Sequence, residues 1–252
     1  MIGVGSPTFC LTPFMRMLEE ISKSFELWEI LSEDMDRLEL IGDGIRHGRE
    51  SYGMHFQVHA PLSDVNIGSV YEPMRSAALN EVKQTILMCH RLEIPLVTVH
   101  PGFVSGIAFL DRRKALEKSR ESVIALSAFS KAHSVEMVVE NLPANMNATC
   151  TTVAELSELL DGTDIKICFD MGHANTADQI DEFLALVDKF GNVHLHNNEG
   201  QWDQHNKIED GSADVQKVVS VLKRSYRGNI IIESTDLETG AESKLALEKL
   251  LG

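Results

Sequence analysis

The 252-residue sequence has few cysteines, few cationic side chains and no long apolar run. Cys10, Cys89, Cys150 and Cys168 are scattered, with no C-x-x-C pair. They read as buried, reduced thiols, which excludes a disulfide frame or a thiolate zinc site and points to a cytoplasmic protein. Lys and Arg number 23 against 38 Asp and Glu, a net charge of −15. Such a surface repels phosphates and argues against sequence-independent coating of nucleic acid, although bound metal ions can reverse the sign inside a cleft. No stretch approaches the roughly 18 to 20 apolar residues of a membrane span, and Met1 to Phe9 has neither the basic nor the apolar region of a signal peptide.

Hydrophobic residues make up 43% and charged residues 24%, so apolar material for a core is ample. Short β-rich runs alternate with helical patterns from one end to the other. Strands are expected near Ile2–Gly5, Phe25–Ile30, Met54–His59, Leu96–His100, Glu136–Glu140, Ile165–Asp170, Asn192–His196 and Asn229–Glu233. Apolar residues at three- and four-residue spacings predict helices over Pro73–Leu92, Arg112–His133, Thr151–Leu160, Asp178–Phe190, Ala213–Arg224 and Glu242–Leu251. The segment Ser32–Arg49 is more polar. No composition break or linker interrupts the chain, so residues 1–252 are expected to form one domain. Eight strand–helix units predict an α/β fold, a closed (β/α)8 TIM barrel, with a doubly wound open sheet as the alternative.

The informative positions are the C-terminal ends of the strands, which in a barrel converge on one mouth. The third ends at His59 and the fourth at His100, before Pro101-Gly102. The fifth ends at Glu140, the sixth at Asp170 with His173 three residues on, and the eighth at Glu233. The seventh carries His194 and His196. Roughly one position in five is His, Asp, Glu or Cys, so chance would fill only about one or two of eight ends with residues of these metal-binding types. Carboxylates and imidazoles converging among apolar neighbours need a cation to offset the cost of their burial. Imidazole mixed with carboxylate and without thiolate suits Zn²⁺, Mn²⁺ or Fe²⁺ better than Ca²⁺. In the loop beyond the seventh strand, Asp203 and His205 stand two apart beside Trp202; alone, such a pair reads as solvated surface.

Taken together, the set resembles the xylose-isomerase-like superfamily of TIM barrels, which includes sugar-phosphate isomerases and epimerases and endonuclease IV. The resemblance runs from His59-Ala60-Pro61 through His100-Pro101-Gly102, Glu140-Asn141, Asp170 with His173, His194-Leu195-His196-Asn197 and Asp203-Gln204-His205 to Ile231-Ile232-Glu233. It implies up to three zinc ions. His59 and His100 would bind one, with Glu140 bridging to a second that Asp170, His194 and Glu233 complete. His173, Asp203 and His205 would hold the third. Glu140, Asp170, His194 and Glu233 are also the single-metal set of the isomerase and epimerase branch. His196 has no ligand role in this resemblance and reads as supporting the site or touching substrate.

Two activities follow from the resemblance. A hydrolase would use the ions to activate water and neutralise charge on a phosphoester. An isomerase or epimerase would exchange a proton with a sugar carbon through Glu140 and Glu233. The complete ligand set favours hydrolysis of a phosphoester or phosphodiester. DNA is disfavoured as the substrate. Leu31–Asp36 is acidic where endonuclease IV has an Arg-x-Trp segment, and Leu62 replaces its Tyr after His-Ala-Pro. A small phosphorylated or sugar substrate is the expected partner.

Overall fold

The computed structural model describes residues 1–144 and 146–252. Eight strands pair in parallel in chain order and close on themselves: β1 (Ile2–Gly5), β2 (Leu27–Leu31), β3 (His55–His59), β4 (Leu96–Val99), β5 (Glu136–Glu140), β6 (Lys166–Asp170), β7 (Phe190–Leu195) and β8 (Ile230–Glu233). Closure is made by Ile2 to Gly5 of β1 lying beside Ile230 to Glu233 of β8. Around the barrel lie α1 (Phe14–Ile21), α2 (Leu38–Tyr52), α3 (Glu72–Arg91), α4 (Arg112–Ala132), α5 (Val153–Leu160), α6 (Met171–Thr176), α7 (Ile180–Leu184), α8 (Val215–Ser225) and α9 (Leu237–Leu251). The expected TIM barrel is therefore the observed fold.

Val- and Ile-rich strands fit a sheet covered on its outer face by helices. The main apolar core lies between the two layers. Trp28 stacks on Phe14 of α1 at 4.8 Å between ring centroids, and Phe169 of β6 stacks on Phe190 of β7, also at 4.8 Å. Side-chain caps mark some of the helix starts. Asp111 accepts from the Arg113 N–H before α4, and Asp236 accepts from the Thr239 N–H before α9. At the end of α2, Gly53 takes a left-handed φ of +67°, where a side chain would be strained.

Two expectations are corrected. The helix expected over Asp178–Phe190 shrinks to α7 and a following turn, because Phe190 joins the sheet and stacks on Phe169. Consequently β7 runs Phe190–Leu195, and His196 lies just past its end. The second strand is also displaced, to Leu27–Leu31, leaving Phe25 buried ahead of it. Among the described residues, no helix is long and apolar enough to cross a membrane.

Candidate metal centre

Glu140, the last residue of β5, sits at the centre of the mouth and is almost fully buried. Its Oε2 lies 3.1 Å from His59 Nε2 and 3.2 Å from His100 Nε2. Its Oε1 lies 3.2 Å from His194 Nδ1 and 3.4 Å from His173 Nδ1. The same His194 nitrogen is 3.0 Å from Glu233 Oε1 and 3.8 Å from Asp170 Oδ2. On the β6–β7 side, Asp203 Oδ2 is 3.2 Å from His173 Nε2 and 3.1 Å from His205 Nε2.

The residues read from the sequence thus fall into three contiguous groups: His59, His100 and Glu140; Glu140, Asp170, His194 and Glu233; and His173, Asp203 and His205, which His196 joins. Within each group one ligand atom per residue lies within 4.8 Å of all the others. Two ligands on one tetrahedral zinc, each at about 2.0–2.1 Å, stand about 3.3 Å apart. Most of the closest separations here are near that value.

Neighbours fix which nitrogen each histidine presents. His59 Nδ1 meets the Ala60 carbonyl at 2.8 Å, and His173 Nδ1 meets the Asn141 carbonyl at 2.9 Å. Each carbonyl accepts an N–H, so the lone pair of Nε2 is left for the cluster. Asp170 is held by a two-way amide clamp. Asn141 Nδ2 donates to its carbonyl and Asn141 Oδ1 accepts from its N–H, both at 2.9 Å. Asp170 Oδ1 in turn caps α6 by accepting from the His173 N–H at 2.7 Å. The three-residue spacing of Asp170 and His173 is therefore a helix start that carries both side chains to the mouth.

Asp203 and His205 reach the site because Asn197 and Asn206 pair as a short antiparallel bridge, which folds the loop between them back over the barrel. His205 holds a left-handed φ of +50° there, a conformation that costs a non-glycine residue free energy. His196 is fully buried and its ring is stacked face to face on that of His205, 4.0 Å away and nearly parallel. His196 thus packs against His205, and its Nε2 lies 3.1 Å from Asp170 Oδ1 and 3.4 Å from Asp203 Oδ1. It does not contribute to the pocket wall.

The electrostatics suit cations. Burial would lower His59, but Glu140 outweighs it and raises the imidazole to about 9. His205 is likewise depressed by burial and raised overall to about 9 by Asp203 and Glu233. His173 and His194 are raised well above the ordinary range by surrounding acids, despite burial. Glu140 is held well below the carboxylate range, its burial outweighed by His194, His100 and His59. His100 is lowered, mainly by burial. The metal-free site thus takes up protons where ligands would otherwise repel one another, and metal binding would displace them. Buried Asp170 Oδ2, Asp203 Oδ1 and His205 Nδ1 lack a hydrogen-bond partner. Such atoms cost about 1–3 kcal/mol each unless another group holds them. The donor set, its spacing and these unpartnered atoms fit divalent metal ions.

A cavity of about 240 Å³ opens over the groups. Its lining also includes the apolar Leu31, Leu62, Phe103, Leu142 and Met146 and, among the described residues, no Lys or Arg. Several other charged or aromatic side chains stand apart from it. Arg112 is paired with Glu155 at 2.6 Å and bound to the Ala148 carbonyl, so it is not a free phosphate ligand. His133 closes α4 through the Phe129 carbonyl at 2.8 Å. Trp202 is 65% exposed and forms neither a wall of the cavity nor a buried anchor.

Sequence reading missed Glu29, buried in β2, whose Oε1 lies 2.8 Å from His194 Nε2. In the run Leu27–Leu31 a lone acid carries no signal of its inward direction. It also missed Gly172, where an added Cβ would collide with the His196 ring. Gly172→Ala is expected to push His196 from beneath His205, at a cost of about 1–3 kcal/mol from overpacking. Thermal unfolding together with metal content would check this, and a variant unchanged in both would show that the ring has room.

Three comparisons bear on the family. An uncharacterized protein of Methanocaldococcus jannaschii is 28% identical over 259 aligned positions, covering 99% of this chain and 88% of that protein. A probable endonuclease 4 of Methanoculleus marisnigri is 30% identical over 207 positions, 70% of each chain. The crystal structure of a D-tagatose 3-epimerase-like protein superposes with a TM-score of 0.92 at 27% identity, over 99% of this chain and 96% of that one. With residues 22–250 matching the family model described as xylose isomerase-like TIM barrel, this chain belongs to that family.

Proposed function

We propose that this chain is a divalent-metal-dependent hydrolase of a small phosphoester, with an endonuclease IV-like set of three metal sites. The observation that carries the reading is that Glu140 joins His59 and His100 on one side to Asp170, His194 and Glu233 on the other, while His173, Asp203 and His205 form a further group against them. A proton shuttle on a sugar needs only the middle group. Zinc is the metal best matched to these donors, with manganese or iron as alternatives. Ions held there would polarise the phosphoryl group, activate water and offset charge on the leaving oxygen.

The chain's own contributions follow from position. Glu140 fixes the spacing of the first two groups, and Glu233 lies 3.0 Å from His194 Nδ1. His196 supports His205. With no Lys or Arg among the described lining residues, a phosphate would meet its positive charge at the metal groups and their histidines. The same fact argues against a sugar phosphate whose phosphate lies away from the metals.

A second reading, a sugar epimerase, is favoured by one observation. Glu140 and Glu233 both come close to His194 Nδ1, at 3.2 and 3.0 Å, so the two carboxylates that a proton shuttle would use stand together at the mouth. A turnover panel separates the readings: small phosphomonoesters and phosphodiesters, an abasic-site oligonucleotide, ketoses and ketose phosphates. Release of an alcohol from a phosphoester is the expected result. Inversion at a ketose carbon with no ester cleavage would replace the first reading by the second.

DNA is the disfavoured phosphodiester. At −15 and with the acidic segment Leu31–Asp36 beside the mouth, binding to an abasic duplex is expected to be weak and to fall steeply with salt. Fluorescence anisotropy at several salt concentrations measures it, and tight binding at physiological salt would contradict this expectation.

A further inference from the structure

Beneath the metal groups the barrel interior is polar, where a TIM barrel ordinarily packs layers of Val, Ile and Leu. Glu29 of β2, Gln57 of β3, Thr98 of β4 and Asn192 of β7 are all buried there. Glu29 Oε1 lies 2.8 Å from His194 Nε2. Glu29 Oε2 accepts from Asn192 Nδ2 at 2.8 Å, from the Gln57 amide, and more distantly from the Thr98 hydroxyl at 3.5 Å. Gln57 is steadied in turn by Asn229, whose Nδ2 donates to Gln57 Oε1 at 2.9 Å.

The chemistry of the partners assigns the ring. A carboxylate only accepts, so the hydrogen between Glu29 and His194 belongs to Nε2. Asn192 Nδ2 lies 3.1 Å from the same nitrogen, but its two hydrogens have oxygen acceptors in Glu29 Oε2 at 2.8 Å and the Thr98 hydroxyl at 3.2 Å. With Nε2 protonated, the lone pair of the neutral ring is on Nδ1. That is the nitrogen facing Glu140, Asp170 and Glu233.

We propose that Glu29 is a positioning residue for the central metal group. It holds His194 in the Nε2–H form, aims Nδ1 at the ion, and adds negative charge behind the ring that makes the imidazole a stronger donor. The Asn192, Gln57, Thr98 and Asn229 side chains keep that carboxylate satisfied inside the barrel. This rests on the reading of the central group as a metal site, and it adds a residue that does not touch the ion.

The test titrates Zn²⁺ into metal-free protein by calorimetry, with a competing chelator, in the wild type, Glu29→Gln and Glu29→Ala. Long-range ¹H–¹⁵N spectra of His194 in the zinc-loaded proteins report which nitrogen carries the hydrogen. The isosteric Glu29→Gln keeps an acceptor for Nε2–H and loses the charge, so zinc at the central group should bind about 10-fold more weakly with the ring form unchanged. Glu29→Ala loses both, with about 100-fold weaker binding and a mixed ring form; this is the range expected on removing an outer partner of a metal-binding histidine. Wild-type zinc affinity in folded Glu29→Gln, or a wild-type protein whose His194 carries its hydrogen on Nδ1, would overturn the proposal. If Glu29→Ala fails to fold, the isosteric variant decides alone. A wild-type protein that takes up no zinc would overturn the metal reading and this proposal with it, whereas unchanged affinity in both variants would overturn only the role of Glu29.

Discussion

Glu140→Gln is expected to abolish metal binding at two of the three groups and turnover with it. The substitution keeps the shape of the side chain and removes the charge that His59, His100, His173 and His194 all approach within 3.4 Å. Glu140 is the residue shared by two groups, so its loss cannot be covered by a neighbour. An amide also turns an N–H toward ring nitrogens whose opposite nitrogen is already pinned, by Ala60 for His59 and by Glu29 for His194. Metal affinity should fall by at least about 100-fold, the upper end of what outer partners alone contribute. The fold should persist, because the barrel is packed by side chains and not by ions. Metal content by elemental analysis, circular dichroism and turnover measured together would show this. Full activity with unchanged metal content would remove Glu140 from the centre of the site.

The second large effect is expected from the double variant Asp203→Ala/His205→Ala. Both side chains line the cavity, and Asp203 is the carboxylate on which His173 and His205 converge. Without them the peripheral group keeps only His173 and His196, too few to hold an ion against solvent. Metal content should fall by about one ion per chain, and phosphoester turnover by at least about 100-fold, because positive charge is lost beside the reacting group. A sugar epimerase would respond differently. Its central group and the Glu140/Glu233 pair would survive, and the main effect would be weaker substrate binding from a disturbed loop. Unchanged metal content with surviving turnover of a sugar would therefore establish the epimerase reading.

Much of the site was legible in the chain because a barrel collects strand ends, and strand ends are marked by the switch from Val- and Ile-rich runs to polar residues. His59, Glu140, Asp170 and Glu233 close their strands as expected, and His100 follows β4 directly. What was not legible depends on contacts between distant segments. Asp203 and His205 look like a solvated loop pair until the Asn197–Asn206 bridge folds them over the mouth. His196 shares the interior with His194, yet only the parallel stack on His205 shows that it packs against that ring. Glu29 was hidden for the opposite reason. Periodicity in a run buried on both faces does not say which side chains point to the barrel axis. The helix expected up to Phe190 failed because Ile180, Phe183 and Leu184 continue a helical spacing that the aromatic packing of Phe190 on Phe169 interrupts.

The most direct measurement is the number of metal ions per chain, by elemental analysis of protein purified without chelator and checked for folding. Three ions per chain is the expected result, falling to about two in Asp203→Ala/His205→Ala. One ion per chain in the wild type, unchanged in that variant, would contradict the three-site hydrolase and leave the central group as the whole of the metal centre.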